Sequence, residues 1–92
     1  MNKHDWISVK ERLPNSELSN ESSLRKEYES QNVLIQTKRD EIFSAYYIRT
    51  TYKNNKYKEK INWYTYGTGG RKMKVMSKVV AWMSLPELYA GE

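Results

Sequence analysis

The first question for this 92-residue chain is which side chains could perform catalysis. The sequence has one histidine, His4, and no cysteine. A Cys-His arrangement is therefore impossible, and a Ser-His-Asp arrangement would depend on His4. This residue lies two positions before Trp6, near the start of the chain. A general base must be held within hydrogen-bond reach of its substrate, which a chain terminus seldom achieves. The sequence thus predicts a protein that is not an enzyme, with no catalytic residue.

Metal and cofactor chemistry finds equally little support. Zinc sites use histidine and cysteine ligands, so only a carboxylate site for a hard cation remains. The acidic residues are scattered among lysine and arginine, and none follows the spacing of a calcium loop. We therefore predict no metal site and no bound cofactor.

One glycine cluster has the composition of an anion-binding loop. Residues 67–70 (GTGG) are followed by Arg71 and Lys72, and backbone N–H groups beside two cations can hold a phosphate. The cluster lacks the G-x-x-x-x-G-K-[ST] spacing, and the residues after it have the pattern of a strand rather than a helix. A glycine-rich hairpin turn is the better interpretation.

Charge is distributed unevenly along the chain. Residues 49–78 contain nine lysine and arginine residues against Glu59 alone, a net charge of +8, whereas the whole chain carries +5. Tyrosines are interleaved with these cations. We predict that this basic, tyrosine-rich segment contacts a partner through Tyr52, Lys53, Lys56, Tyr57, Lys58, Arg71 and Lys72.

Three interpretations of the basic segment are open at this point. It forms a solvated hairpin loop whose tyrosines pack on the sheet, or it binds an acidic protein, because tyrosine and arginine are favoured interface anchors. Alternatively it binds nucleic acid or a nucleotide, because cations neutralise phosphates and exposed rings stack on bases. No RNA-recognition or helix-turn-helix motif supports the last interpretation.

Short apolar runs of strand length must position these residues. The predicted strands cover residues 32–37, 41–49, 59–66 and 74–83, and the first two form a hairpin. Residues 17–30 are rich in serine, glutamate and asparagine and form either one short helix, with Leu24 and Tyr28 spaced i,i+4, or a solvated excursion. The predicted fold is α+β and β-rich: a single domain, 1–92, with a small antiparallel sheet of about four strands and at most one short helix.

Alternation along the predicted strands assigns side chains to faces. Ile61, Trp63 and Thr65 share one face of their strand, and Tyr64 and Tyr66 share the other. In the last strand, Val75, Val79, Ala81 and Met83 share a face, and Trp82 points the opposite way. The predicted core anchors are Trp6, Trp63 and Trp82, since each ring can bury on the order of 200 Å². Loss of any one of them is expected to unfold the domain.

Several segments resemble a protein family of phages and prophages. The opening, residues 6–14 (WISVKERLP), fits the pattern W-I-x-V-x-x-R-L-P, and residues 80–86 (VAWMSLP) fit the ending H-W-M-x-L-P. Between them, residues 33–35 (VLI), residues 45–47 (AYY) and Trp63 match internal positions. The chain thus resembles domain-of-unknown-function family 551, and the resemblance implies a small phage-borne accessory protein.

Two features depart from the family pattern. Ala81 stands where the family usually has histidine before the closing tryptophan, so any role of that imidazole is absent here. Residues 15–30 intervene between the opening and the first predicted strand, where the family has few residues. This insertion is a candidate for a function specific to this protein.

Taken together, the sequence favours a binding protein. No run approaches the ~20 apolar residues that a membrane-spanning helix needs, and no secretory signal is recognisable, so we expect a protein of the host cytoplasm with no membrane partner. We expect a phage- or prophage-encoded, non-catalytic protein that engages, and in one version inhibits, a host or defence-system protein through its basic, tyrosine-rich face. The alternative is a nucleic-acid or nucleotide-binding module. The oligomeric state stays open.

Overall fold

The computed structural model of this chain describes residues 6–54 and 57–85. Within them the chain forms eight strands and a single 3-10 turn at Thr68–Gly70. The strands are β1 (Ile7–Ser8), β2 (Ser16–Glu21), β3 (Arg25–Ser30), β4 (Val33–Thr37), β5 (Ile42–Tyr52), β6 (Lys60–Tyr66), β7 (Lys72–Lys74) and β8 (Val79–Ser84). The β-rich antiparallel class is confirmed, but the sheet has eight strands in the described residues and not about four.

The longest strand, β5, belongs to two halves of this sheet. Residues 42–45 of β5 pair with β4, which pairs with β8, and β8 pairs with β1. We call these strands the core half. Further along β5, residues 48–52 pair with β3 and residues 46–50 pair with β6; β2 lies outside β3 and β7 lies outside β6, and we call these strands the open half.

A bulge marks the boundary between the two halves. Strands β3 and β4 pair one after the other with the same edge of β5. Between their paired parts, three residues, 30–32, lie opposite only two residues of β5, 46 and 47. The side chain of Ser30 compensates for the broken ladder, because its hydroxyl oxygen accepts a hydrogen bond from the Tyr47 N–H at 2.9 Å. Bulges of this kind bend a strand and increase its twist.

The segment predicted as a short helix or a solvated excursion is instead the β2–β3 hairpin. The hydroxyl of Ser22 accepts hydrogen bonds from the N–H groups of Leu24 and Arg25, both at 3.3 Å, and thereby closes a turn that competes with a helix. Tyr28 then lies opposite Leu18 on the neighbouring strand. Polar strand residues carry a weak sequence signal, which is why composition alone suggested a helix or a loop.

The core lies mainly in the core half. Its buried side chains are Val33, Ile35, Ala45, Val79 and Trp82, and Ile7, Val9, Phe43, Trp63 and Val75 pack against them. Of the three predicted anchors, Trp82 is 4% exposed, whereas Trp63 and Trp6 are half-buried. Trp82 is therefore the main indole of the core, and Trp63 joins the open half to it.

Two separate strands, β7 and β8, replace the strand predicted over 74–83. Two residues of β4, 36 and 37, face three residues of β8, 79–81, so β8 also contains a bulge. The bulge brings Val79 and Trp82 to the same buried face. The prediction that Trp82 faces away from Val79 is therefore wrong, because simple alternation holds only where the ladder is regular.

In the part of the chain that the structure describes, no helix has the length and apolar character to cross a bilayer.

Candidate partner-binding surface

The structure separates the predicted contact residues into two groups. Tyr52, Lys53, Tyr57 and Lys58 lie where β5 ends and before β6 begins, whereas Arg71 and Lys72 follow the 3-10 turn after β6. Strand β6 has seven residues, so the groups stand roughly 20 Å apart along it. Lys56 lies outside the described residues, as does His4. The two groups therefore belong to different parts of the surface.

The first group surrounds a small open cleft at the tip of the open half. The rings of Tyr52 and Tyr57 meet edge to face with centroids 5.3 Å apart, and Tyr57 is 62% exposed. The cleft has a volume of about 320 Å³ and is lined by Ser22, Leu24, Arg25, Tyr52, Asn54 and Tyr57. Its predicted contact residues are thus accessible, although Tyr52 is partly covered by Tyr57.

Lys53 is engaged within the protein. Its Nζ lies 2.7 Å from Oε2 of Glu21, and the hydrogen bond and charge of Lys53 lower the pKa of that carboxyl. Because both groups are partly exposed, the pair contributes little to stability. It nevertheless reduces the charge that Lys53 offers to a partner.

Lys72 of the second group lies beside a cluster of three tyrosines. The ring of Tyr46 lies 5.9 Å from that of Tyr64 and 5.5 Å from that of Tyr66. Tyr46 is 5% exposed, whereas Tyr66 is 57% exposed. Burial, assisted by a hydrogen bond with Tyr66, raises the pKa of Tyr46 to about 12. Tyr46 is thus an uncharged, buried ring against which the rings of Tyr64 and Tyr66 pack.

Lysines of β7 complete this cluster. Lys72 is opposite Tyr66 and Lys74 is opposite Tyr64 in the β6–β7 pairing. The Nζ of Lys72 lies 4.3 Å from the centroid of the Tyr64 ring, a cation–π contact. Within residues 6–54 and 57–85, neither lysine has a carboxylate at salt-bridge distance. We call Tyr46, Tyr64, Tyr66, Lys72 and Lys74 the tyrosine–lysine surface.

The hairpin turn between β6 and β7 aligns these side chains. The Gly67 N–H donates to the carbonyl of Arg71 at 2.7 Å, and the Gly70 N–H donates to that of Gly67 at 3.0 Å. Gly69 and Gly70 have φ values of 76° and 77°, which favour glycine. The prediction of a glycine-rich hairpin turn is confirmed, and the turn places Lys72 beside Tyr64.

Of this surface, the sequence predicted only Lys72 as a contact residue and missed Tyr46, Tyr64, Tyr66 and Lys74. Alternation correctly separated Tyr64 and Tyr66 from Trp63, whose ring instead meets Tyr47 at 5.3 Å. Extending the same alternation across the hairpin turn would have added Lys74. The position of Tyr46 depends on the pairing of β5 with β6, which the sequence does not reveal.

The other face of the open half carries a second arrangement of aromatic and charged groups. The Arg49 guanidinium lies 4.6 Å from the centroid of the Tyr28 ring, and its Nη1 lies 2.9 Å from Oε1 of Glu59. Arg49 is thus paired, which distinguishes it from the lysines of β7. Among the described residues, no group of three histidine, cysteine, aspartate or glutamate side chains is arranged to hold a metal ion.

A family model described as protein of unknown function, DUF551, matches residues 5–87 of the chain. The chain belongs to this family. No curated protein and no solved structure matches it. In this DUF551 member, the opening and closing segments lie side by side, since Ile7 of β1 is opposite Trp82 of β8. The β2–β3 hairpin lies between the opening segment and β4.

Proposed function

We propose that this protein is a non-catalytic binding protein that engages an acidic surface of a partner protein through the tyrosine–lysine surface. The observation that carries the proposal is the position of Lys72, stacked on Tyr64 next to the exposed ring of Tyr66. Lys72 forms no salt bridge in the described part of the chain. A partner carboxylate can therefore bind it without displacing an internal one.

The tyrosines favour a protein interface for a second reason. Each ring in the cluster is packed against another, so little side-chain entropy remains to be lost when a partner binds. Tyrosine is among the residue types that dominate binding energy at interfaces. Truncation of such an anchor typically weakens binding by about 2 kcal/mol or more.

The resemblance to a phage and prophage family supports a setting for this binding. In the proposal, the protein is phage- or prophage-encoded and acts in the host cytoplasm. Its partner is a host or defence-system protein, and occupation of an acidic site on that protein inhibits it. Inhibition of this kind needs binding only and no catalytic group.

Nucleic acid is the competing partner. Lysines and the exposed ring of Tyr66 suit phosphates and bases, but one face of Tyr64 is already covered by Lys72 and is not free to stack on a base. Direct phosphate contacts would make affinity for an oligonucleotide fall steeply with salt, with a slope of about −0.9 per neutralised phosphate on duplex DNA. Tight, salt-sensitive binding of DNA or RNA would therefore replace the protein-partner proposal with this one.

The test is capture from a host lysate with matched charge variants. The K72E/K74E variant reverses two cations of the tyrosine–lysine surface. The K10E/K38E variant makes the same change in net charge at exposed lysines outside the open half. We expect wild type and K10E/K38E to retain the same protein and K72E/K74E to lose it. Retention of that protein by folded K72E/K74E would contradict the proposal.

A further inference from the structure

The tyrosine–lysine surface is one flank of a larger face that spans the open half. The strand order across this face is β2, β3, β5, β6 and β7. One row across these strands consists of Glu17 of β2, Glu29 of β3 and Ile48 of β5, each paired with the next. In the next row, Glu27 of β3 and Lys60 of β6 lie on either side of Thr50. Three carboxylates thus lie on one flank, where Arg25 lies one row beyond Glu27 with its Nη2 3.9 Å from Oε2 of that residue, and lysines lie on the other flank.

Contacts show that these side chains share one face. The Asn20 side chain on β2 donates a hydrogen bond to Oε1 of Glu27 at 3.4 Å. The negative charge of Glu29 contributes to the raised pKa of the Tyr46 hydroxyl. The Tyr46 ring in turn contacts the rings of Tyr64 and Tyr66. Strand β5 contributes uncharged residues to the middle of the face: Tyr46, Ile48, Thr50 and Tyr52. The face therefore has an acidic flank, an uncharged centre and a basic flank.

We propose that a second copy of this chain docks face to face on the open half, related by a two-fold axis parallel to β5. This rotation exchanges left and right, so the acidic β2–β3 flank of each copy lies over the basic β6–β7 flank of the other. Lys60 and Glu27 are level with each other along β5, and Lys74 lies one row from Glu29. The two-fold axis makes every such contact occur twice.

Charge complementarity selects a second copy over other occupants of the whole face. A nucleic acid covering both flanks would place phosphates against Glu17 and Glu29. A uniformly acidic protein would place carboxylates there. The chain carries a net charge of +5, so copies repel one another in most orientations. The two-fold arrangement is favourable because it opposes unlike charges on both flanks around an uncharged centre, the usual anatomy of an interface.

The size of the face predicts a weak, concentration-dependent dimer. Five strands at about 4.8 Å spacing and seven residues at about 3.4 Å each give a face of roughly 20 by 24 Å. That is below the ~800 Å² per partner of a standard protein interface. The inference goes beyond the proposed function, because its occupant is the chain itself, and the two uses compete for the basic flank.

Sedimentation over a concentration series tests the dimer with charge swaps. The E17K/E29K variant makes both flanks basic, and K72E/K74E makes both acidic. We expect each variant alone to dimerise at least about tenfold more weakly than wild type. The quadruple variant E17K/E29K/K72E/K74E keeps the wild-type net charge and restores opposed charges, so it should dimerise again. An equimolar mixture of the two double variants should form a heterodimer.

Two controls make the outcome decisive. K10E/K38E has the same net charge as K72E/K74E and should dimerise like wild type, and circular dichroism reports whether each variant is folded. A wild type that stays monomeric at all concentrations, or a quadruple variant that stays as weak as its parents, overturns the dimer. E17K/E29K leaves Lys72 intact, so it should still capture the partner protein in the lysate experiment. Failure of the dimer and failure of the proposed function are therefore separable.

Discussion

The indole Nε1 of Trp82 donates a hydrogen bond of 2.8 Å to the carbonyl oxygen of Arg12, seventy residues earlier in the chain. The Arg12 guanidinium also lies 5.4 Å from the centroid of the Trp82 ring. Strands β1 and β8 share only two paired positions. The indole therefore adds a second link between the opening segment and the core, beside the strand pairing.

Replacement of Trp82 should destabilise the protein far more than replacement of Trp6. Trp82→Ala removes a buried ring and its hydrogen bond, with an expected loss of about 3–5 kcal/mol in the free energy of unfolding. Trp6 is half-buried, so Trp6→Ala should cost about 1–2 kcal/mol. Denaturant unfolding measures both values. Equal losses would show that Trp6 is as much a core anchor as the sequence suggested.

Loss of a single hydroxyl should be measurable at Tyr47. Its hydroxyl donates a hydrogen bond to the carbonyl of Pro14, and Tyr47 is 3% exposed. Tyr47→Phe leaves this carbonyl without its partner, and we expect a loss of about 1–3 kcal/mol. The matched control is Tyr57→Phe, whose hydroxyl belongs to an exposed side chain and whose loss should change stability by less than about 0.5 kcal/mol. Indistinguishable unfolding midpoints for the two variants would refute the role of the Tyr47 hydroxyl.

The bulge between the two halves should be sensitive to Ser30. This side chain is 5% exposed, accepts from the Tyr47 N–H and donates to the carbonyl of Gln31 at 2.9 Å. Ser30→Ala leaves the Tyr47 N–H unsatisfied, so we expect a loss of about 1–3 kcal/mol and faster hydrogen exchange of that amide. Ser23→Ala, in the exposed β2–β3 turn, is the control. An unchanged Tyr47 exchange rate in Ser30→Ala would contradict this assignment.

Tyrosine ionisation should be heterogeneous. Burial and the hydrogen bond with Tyr66 raise the pKa of Tyr46 from 10.0 to about 12. Because the pKa of Tyr46 is higher in the folded state than in the unfolded state, the neutral hydroxyl contributes its full share to the free energy of unfolding below pH 10. That contribution is lost as the pH rises from 10 towards 12. An ultraviolet titration should show one tyrosine ionising well after the exposed ones, and Tyr46→Phe should remove that late step. A single transition near pH 10 in wild type would contradict the buried position of Tyr46.

Regular strands were predictable, whereas interruptions of the ladder were not. Residues 33–37, 42–52 and 60–66 are strands close to the predicted bounds, because β-branched and aromatic residues mark them. The bulge in β8 reversed the assignment of Trp82, since one extra residue moves every later side chain to the other face. The β2–β3 hairpin escaped prediction because its side chains are mostly polar and exposed.

The candidate site was predictable in composition but not in position. Lysines and tyrosines between residues 49 and 78 do lie together in the sequence, yet β6 separates Tyr57 from Lys72. Salt bridges then divide the cations further, since Lys53 and Arg49 are paired with glutamates, whereas Lys72 has no such pair among the residues that the structure describes. Pairing of this kind depends on residues distant in sequence and is visible only in three dimensions.

Strand β5 links the two halves of the sheet through its main chain. It supplies main-chain partners to β4 in the core half and to both β3 and β6 in the open half. Detaching it would expose the buried side chains of Ala45 and Tyr47 together and break its ladders with three neighbouring strands. We therefore expect the two halves to open together, and deuterium should enter the amides of β5 last.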